Sequence, residues 1–339
     1  MSKAKWLRDL LKKEPFIVIP GVYDALTARI AHYCGSSVIY MTGYGTSALY
    51  GYPDFGLLTM SEMVDNVRRI SDGFEIPLIA DADTGYGNPI NVYRTVREYD
   101  KAGAAGIQLE DQTWPKRCGH MEGKTVIDAE EMVSKIKAAV DARINSDMVL
   151  VIRTDAIATH GLEEAIHRGH LYAEAGADVI FIEAPDRKQM EKIPQNFSKP
   201  CLLNVPFPNQ NIGVKDIKEM GYKIALFPLV TLIGTIGGCL KMCKSLLEEG
   251  KLDNAGIPFN FKELHQFLER NFLISSSFPI VIVFFVPTIC NLIIRVEGPR
   301  SIGIRSIIFP KSIPLFVFIN SAISSCVYST FHRKKSFVE

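Results

Sequence analysis

Strand-length apolar runs alternate with amphipathic helical stretches along the first 250 or so residues, and this alternation constrains the fold more than any other feature. The runs are Phe16–Pro20, Ser37–Met41, Pro77–Asp81, Gly106–Glu110, Met148–Arg153, Asp178–Glu183, Pro200–Asn204 and Lys223–Phe227. Helical spacing fills the intervals at Asp24–Tyr33, from about Ser61, Asn91–Ala102, Asp128–Ala142, Gly161–Ala175, Arg187–Ile193 and Val214–Met220. A last helical stretch ends near Gly250. Near-continuous apolar strands belong to a parallel sheet buried on both faces. A doubly wound sheet of this length would split into halves. Uninterrupted strand–helix units instead predict an α/β fold of the closed (β/α)8 TIM-barrel type, over residues 1–270.

Asp81, Asp83, Glu110, Asp111, Arg153, Asp155, Glu183 and Asn204 each end or follow an apolar run. In a barrel those ends meet on one face, where sites are built. Asp81-Ala82-Asp83, with Asp54 and Glu110 as further acids, suits a hard cation such as Mg²⁺, with Mn²⁺ as the alternative. The competing role for Asp83 is a helix cap ahead of Thr84-Gly85. The densest cluster of reactive groups is Lys116-Arg117-Cys118-Gly119-His120. Two cations and an imidazole stabilise a thiolate and make Cys118 a competent proton donor, while Gly119 permits close backbone approach.

A net charge of +1 over 339 residues gives no reason to expect a nucleic-acid partner. Met1–Pro20 lacks the apolar segment and cleavage site of a secretory signal. Seven scattered cysteines fit reduced thiols of the cytoplasm better than a disulfide framework. Cys239 and Cys243, four apart, are expected to pack in a core rather than to hold a metal. From residue 271 the character changes to an atypical apolar tail, 271–339. Asn271–Ile294 and Ser312–Phe331 carry no charge, flank a basic Arg295–Arg305 segment, and are long enough to cross a bilayer. Interior prolines, asparagines and serines argue against spans. An aberrant or alternative C-terminus is the preferred expectation, with membrane association through 271–331 as the alternative.

The series Asp81-x-Asp83, Glu110-Asp-Gln, Lys116-Arg-Cys-Gly-His120, Arg153-Thr-Asp155 and Ile182-Glu-Ala resembles the isocitrate lyase/phosphoenolpyruvate mutase superfamily. The similarity is greatest to its methylisocitrate and 2,3-dimethylmalate lyase branch, which also carries the name carboxyvinyl-carboxyphosphonate phosphorylmutase. It spans roughly residues 19–270. The resemblance implies Mg²⁺ at Asp81 and Asp83 with Asp54 and Glu110 in support, and a small carboxylate substrate beside Tyr40, Gly43 and Gly45. It also implies that Arg153 faces the developing enolate and that Lys116, Arg117, Cys118, Gly119 and His120 form a gating loop whose Cys118 supplies the proton. Glu183, His120 and Asn204 then complete the substrate shell, and the assembly is a homotetramer.

The implied reaction is Mg²⁺-dependent cleavage of a 2-hydroxy di- or tricarboxylate to pyruvate, or another 2-oxo acid, and a second acid. Oxaloacetate hydrolysis or decarboxylation and phosphonomutase chemistry are the alternatives on the same scaffold. An inactive isoform follows if the tail replaces the family's terminal helix badly. Two departures bear on substrate. Ile233 stands where methylisocitrate lyases carry an arginine, and Asn204-Val-Pro-Phe-Pro-Asn-Gln-Asn211 replaces an Asn-x-x-Glu-x-Gly-x-Thr-Pro pattern. Both predict a C4 dicarboxylate or 2-alkylmalate rather than a tricarboxylate, because a distal carboxylate loses a bidentate partner.

Overall fold

The computed structural model describes residues 1–117, 119, 123–206, 212–251, 260–269, 280–285, 291–297 and 302–308. It divides into two compact units, Met1–Gly256 and Ile257–Glu339. In the first, eight parallel strands form a closed barrel: β1 (Ile17–Val22), β2 (Ile39–Met41), β3 (Leu78–Asp81), β4 (Gly106–Glu110), β5 (Val149–Thr154), β6 (Val179–Ile182), β7 (Cys201–Asn204) and β8 (Ile224–Phe227). Pairing of Ile17 with Ile224 and Pro20 with Phe227 joins β8 to β1. Every expected strand is present and the (β/α)8 fold stands.

The helices of this unit are α1 (Lys3–Lys13), α2 (Ala25–Tyr33), α3 (Gly43–Leu49), α4 (Met60–Asp72), α5 (Pro89–Lys101), α6 (Ala129–Ala142), α7 (Ile157–His160), α8 (Leu162–Ala175), α9 (Arg187–Lys192), α10 (Val214–Glu219) and α11 (Val230–Glu249). Several start on reciprocal caps that the sequence encodes locally. Asp24 accepts from Thr27 N at 2.7 Å, Asn88 caps the Pro89-led α5, and Asp186 pairs with Gln189. Thr59 and Glu62 do the same for α4.

Side chains alternate across a strand, so every second residue of β2–β8 points into the barrel. Val38 leads to Tyr40, Ile79 to Asp81, Val149 and Val151 to Arg153, Val179 and Phe181 to Glu183, and Leu202 to Asn204. Apolar residues fill the lower layers and polar ones crown the top. The other parity faces the helices, where Ile39, Met41, Leu78, Ile107, Leu109, Leu150, Ile152 and Ile180 join the main core.

α1, which the expected strand–helix series did not include, closes the bottom of the barrel. Ala4 and Leu7 are buried among Ile17, Val149, Val179 and Ile224, and Leu7 reaches the Gly106 backbone. Arg8 fastens it, giving Asp178 two bonds of 2.9 and 3.0 Å and Met148 O a third of 3.0 Å. Asp178 also accepts from Leu150 N at 2.9 Å. α3 and α7 likewise stand outside the strand–helix series expected from the sequence.

α11 departs from the other helices. It exposes Ile236, Leu240 and Leu247, and Cys239 and Cys243 are exposed rather than packed in a core. By length and composition it is the single helix among the described residues that could cross a bilayer. The second unit contains α12 (Phe261–Glu269), capped reciprocally by Asn260 and Glu263, and an antiparallel sheet ordered β11 (Ile302–Ile308), β10 (Asn291–Glu297), β9 (Ile280–Phe285). The uncharged run 271–294 therefore holds strand β9 and the start of β10, not one continuous helix. The second run, 312–331, lies outside the described residues.

Asp178→Ala removes the partner of Arg8 and an acceptor for Leu150 N. It is expected to lower unfolding stability by about 2 kcal/mol, read from the midpoint of urea denaturation, with substrate turnover at low denaturant retained.

Candidate active site

The crowning residues surround a cleft of about 530 Å³, a volume that includes solvent at its mouth. Tyr40, Asp54, Asp81, Glu110, Lys116, Arg117, Gly119, Arg153, Glu183 and Asn204 line it. Register explains much of the convergence: Asp81 pairs with Gln108, Glu110 with Arg153, and Arg153 with Phe181 across neighbouring strands.

One wall is acidic. Asp81 Oδ2 accepts from Gly43 N at 3.2 Å, and Asp81 Oδ1 accepts from Asp83 N at 3.0 Å and from Gln108 Nε2 at 3.3 Å. Gln108 is held in turn by the Tyr40 hydroxyl, which donates to its Oε1 at 2.6 Å. Asp83, just past the end of β3, adopts a positive φ of 47°. A Cβ on Gly43 would stand 2.7 Å from Asp81 Oδ2, so this backbone approach requires glycine. Gly45 instead packs against Thr42 and Tyr23 and does not line the cleft.

Lys116 reaches into this wall. Its ammonium lies 2.6 Å from Asp54 Oδ1 and 2.8 Å from Asp83 Oδ1, with all three side chains nearly solvent-free. The contact with Asp83 is close but not aligned as a hydrogen bond, and among the described residues Asp83 Oδ1, like Glu110 Oε1, has no hydrogen-bond donor. Burial pushes the Asp83 carboxyl up to about 6, with Lys116 opposing and Asp81 and Asp54 reinforcing the rise. Burial likewise raises Glu110 well above the usual carboxylate range against the pull of Arg153. For Lys116, burial disfavours the charge, yet Asp83 and Asp54 more than restore it and its pKa stands above the ordinary value.

The opposite wall is built on Arg153. Its Nε and Nη2 donate to Asp155 at 2.8 and 2.9 Å, while Glu110 and Glu183 lie at 3.5 and 3.7 Å. The guanidinium stacks over Phe181 at 5.3 Å. Burial would raise the Asp155 carboxyl, but Arg153 and then Lys124 outweigh it and hold the group below its ordinary pKa. Asn204 Nδ2 donates to Glu183 at 3.2 and 3.3 Å. Behind Asp155, Asp111 accepts from Thr154 Oγ1, Asp155 N and Tyr172 OH, at 2.7, 3.0 and 2.8 Å.

Gly119 presses its backbone onto this wall. A Cβ there would fall 2.5 Å from Glu183 Oε1 and closer still to Arg153 Nη2. Arg117 is anchored through its backbone, its N–H donating to Gln112 Oε1 and its carbonyl accepting from Gln112 Nε2. Cys118 and His120 lie outside the described residues. Asp111, one of the strand-end acids expected on this face, is a supporting residue, as are Gln108 and Lys124, which carry no local motif in the sequence. Ile233 lies one turn into α11 and does not line the cleft, whereas Pro206, Pro228 and Leu229 do.

Comparison with known proteins agrees with this architecture. Residues 7–231 match the phosphoenolpyruvate phosphomutase family model. A 2,3-dimethylmalate lyase of Eubacterium barkeri is 48% identical over 236 residues, covering 68% of this chain and 82% of the relative. A 2-methylisocitrate lyase of Aeropyrum pernix is 41% identical over 247 residues, covering 72% and 80%. A crystal structure of 2,3-dimethylmalate lyase superposes with a TM-score of 0.76 at 37% identity, over 82% of this chain and 95% of that one. The chain belongs to the phosphoenolpyruvate phosphomutase family, within the isocitrate lyase/PEP mutase superfamily. Its enzyme class is that of a carbon–carbon lyase.

Gly119→Ala is expected to lower kcat/KM roughly 100-fold while leaving the melting temperature within a degree or so, since the methyl group meets Arg153 and Glu183 and no core. Steady-state kinetics with a thermal melt check this. Burial pushes the Cys201 thiol up to about 12, so at pH 8 its thiolate is about one part in ten thousand. Site-resolved alkylation of the native protein is expected to label the exposed Cys34, Cys239 and Cys243 and to spare Cys201.

Proposed function

We propose that this chain is a Mg²⁺-dependent lyase that cleaves a 2-alkylmalate, a C4-backbone 2-hydroxy dicarboxylate, into a 2-oxo acid and a second carboxylic acid. The observation that carries the substrate class is the polarity of the cleft. Lys116 and Arg153 are each paired with acids, Lys116 with Asp54 and Asp83 and Arg153 with Asp155, Arg117 is the third cation of the lining, and Pro206, Leu226, Pro228 and Leu229 supply its apolar part. Among the described residues that part offers no cation to a third carboxylate. It does offer contact surface to alkyl groups, and an unpaired carboxylate placed there would be costly.

The acidic wall fits a hydrated Mg²⁺. Among the described residues no three acids converge as a ready-made metal cage, but Mg²⁺ keeps several waters and commonly takes only one or two carboxylates directly. Asp81 and Asp83, with Asp54 and Glu110 around them, supply oxygen donors; among the described residues Glu110 Oε1 accepts no hydrogen bond, and Asp83 Oδ1 meets only the Lys116 ammonium. A bound Mg²⁺ would supply concentrated positive charge beside the substrate's C2 oxygen.

Cleavage of the C2–C3 bond converts the C2 hydroxyl to a carbonyl and sends the bonding pair to C3. The departing acid, not the 2-oxo acid, therefore carries the enolate charge. The proton lost from the hydroxyl is matched by one gained at C3, so the reaction is proton-neutral. Arg153, fixed by Asp155 and backed by Phe181, places a permanent positive charge facing that cleft. Cys118 is assigned the proton donation to C3 on the strength of its sequence setting. Glu183 and Asn204 orient the substrate's polar groups, and Gly119 excludes water by closing on Arg153. The same reading carries a homotetramer in the cytoplasm, supported by the exposed apolar residues of α11 and by the free thiols of Cys34, Cys239 and Cys243.

Release of 2-oxo acid is to be measured across 2,3-dimethylmalate, 2-methylisocitrate and oxaloacetate. A preference for the alkylmalate is expected, and a clear preference for 2-methylisocitrate overturns the substrate class. Product analysis separates cleavage from decarboxylation, which would release CO₂. Cys118→Ser should abolish turnover with the fold retained. Removal of divalent ions with EDTA should reduce turnover roughly 100-fold or more, with recovery on adding Mg²⁺.

A further inference from the structure

Lys124 is a buried ammonium that the reaction as described does not use. Its side chain is 3% exposed, and its Nζ donates to Asp155 Oδ1 at 2.9 Å and to the Gly119 carbonyl. It does not line the cleft. A lysine can usually keep its charge in water on a flexible stem, and burying it is costly unless it is paired. Both of its partners belong to the catalytic wall. Asp155 is the carboxylate that holds Arg153, and Gly119 is the backbone pressed against Arg153 and Glu183.

We propose that Lys124 is a positioning residue that latches the Gly119 backbone onto the Arg153–Glu183 pair and, by sharing Asp155 with Arg153, couples that seating to the charge Arg153 presents. The coupling follows from the sharing. Asp155 Oδ1 accepts from Lys124 and from Arg153 Nη2, both at 2.9 Å. With Lys124 docked, one carboxylate is divided between two cations, and the net positive charge of the cluster facing the enolate rises. With Lys124 withdrawn, Asp155 neutralises Arg153 alone and the Gly119 carbonyl loses its donor. Seating of Gly119 and full electrostatic strength at Arg153 then occur together.

The kinetic arm of this proposal rests on the lyase reading, whereas its exchange arm does not. Amide hydrogen exchange is measured on peptides spanning 112–126 in wild type, Lys124→Met and Lys124→Arg, alongside steady-state kinetics. Exchange in that span is expected to accelerate in Lys124→Met with the barrel strands unchanged. kcat is expected to fall roughly 10–100-fold with a smaller change in KM, and Lys124→Arg to recover a substantial part of both. Unchanged exchange in Lys124→Met overturns the latch. Faster exchange with undiminished kcat overturns the coupling to Arg153. Loss of protection throughout the barrel in both variants also overturns the proposal, because Lys124 would then be a folding residue. Faster local exchange in a protein whose wild type turns over no tested substrate supports the latch and removes the lyase reading instead.

Discussion

A guanidinium at the top of a packed barrel needs a carboxylate, and the pairing of Arg153 with Asp155 meets that need. The bond is bidentate, buried and two residues long in sequence, so it forms from one strand end without help from distant loops. Everything else on that wall refers to it. Phe181 backs the planar group, Glu183 and Glu110 flank it, Gly119 is shaped to it, and Asp111 holds the Asp155 backbone from behind. Buried ionic groups are poor sources of stability but good at fixing one arrangement, and here they fix the direction in which positive charge points.

The opposite wall has the inverse problem, an excess of negative charge. Asp54, Asp81, Asp83 and Glu110 crowd together, and the Lys116 ammonium lies among them. Desolvation and mutual repulsion push Asp83 and Glu110 toward the neutral form. The two walls differ in kind: on one a carboxylate fixes a cation, Asp155 on Arg153, and on the other a single ammonium, Lys116, stands among four acids.

The barrel was legible because strand register repeats every two residues. Once Val149, Val151 and Arg153 are placed on one face, the polar end of each run has to meet its neighbours at the mouth, and Asp81, Glu110, Glu183 and Asn204 do. α1 has helical spacing at Ala4, Leu7 and Leu11, but its purpose, stopping the lower end of the barrel with Leu7, exists only in three dimensions. Lys124 and Gln108 escaped notice for a related reason. Neither sits in a reactive cluster, and each acquires meaning from a partner 31 or 27 residues away. At Ile233 the sequence told only of an arginine that is absent, and the turn into α11 carries the isoleucine off the cleft and leaves Pro228 and Leu229 there.

The stopper formed by α1 has a consequence for traffic. Ile19, Val151, Phe181, Leu202 and Leu226 fill the lumen above it, so the barrel is a cul-de-sac rather than a conduit. Exchange with solvent is therefore confined to the upper end of the barrel, where Gly119 lies against Arg153 and Glu183.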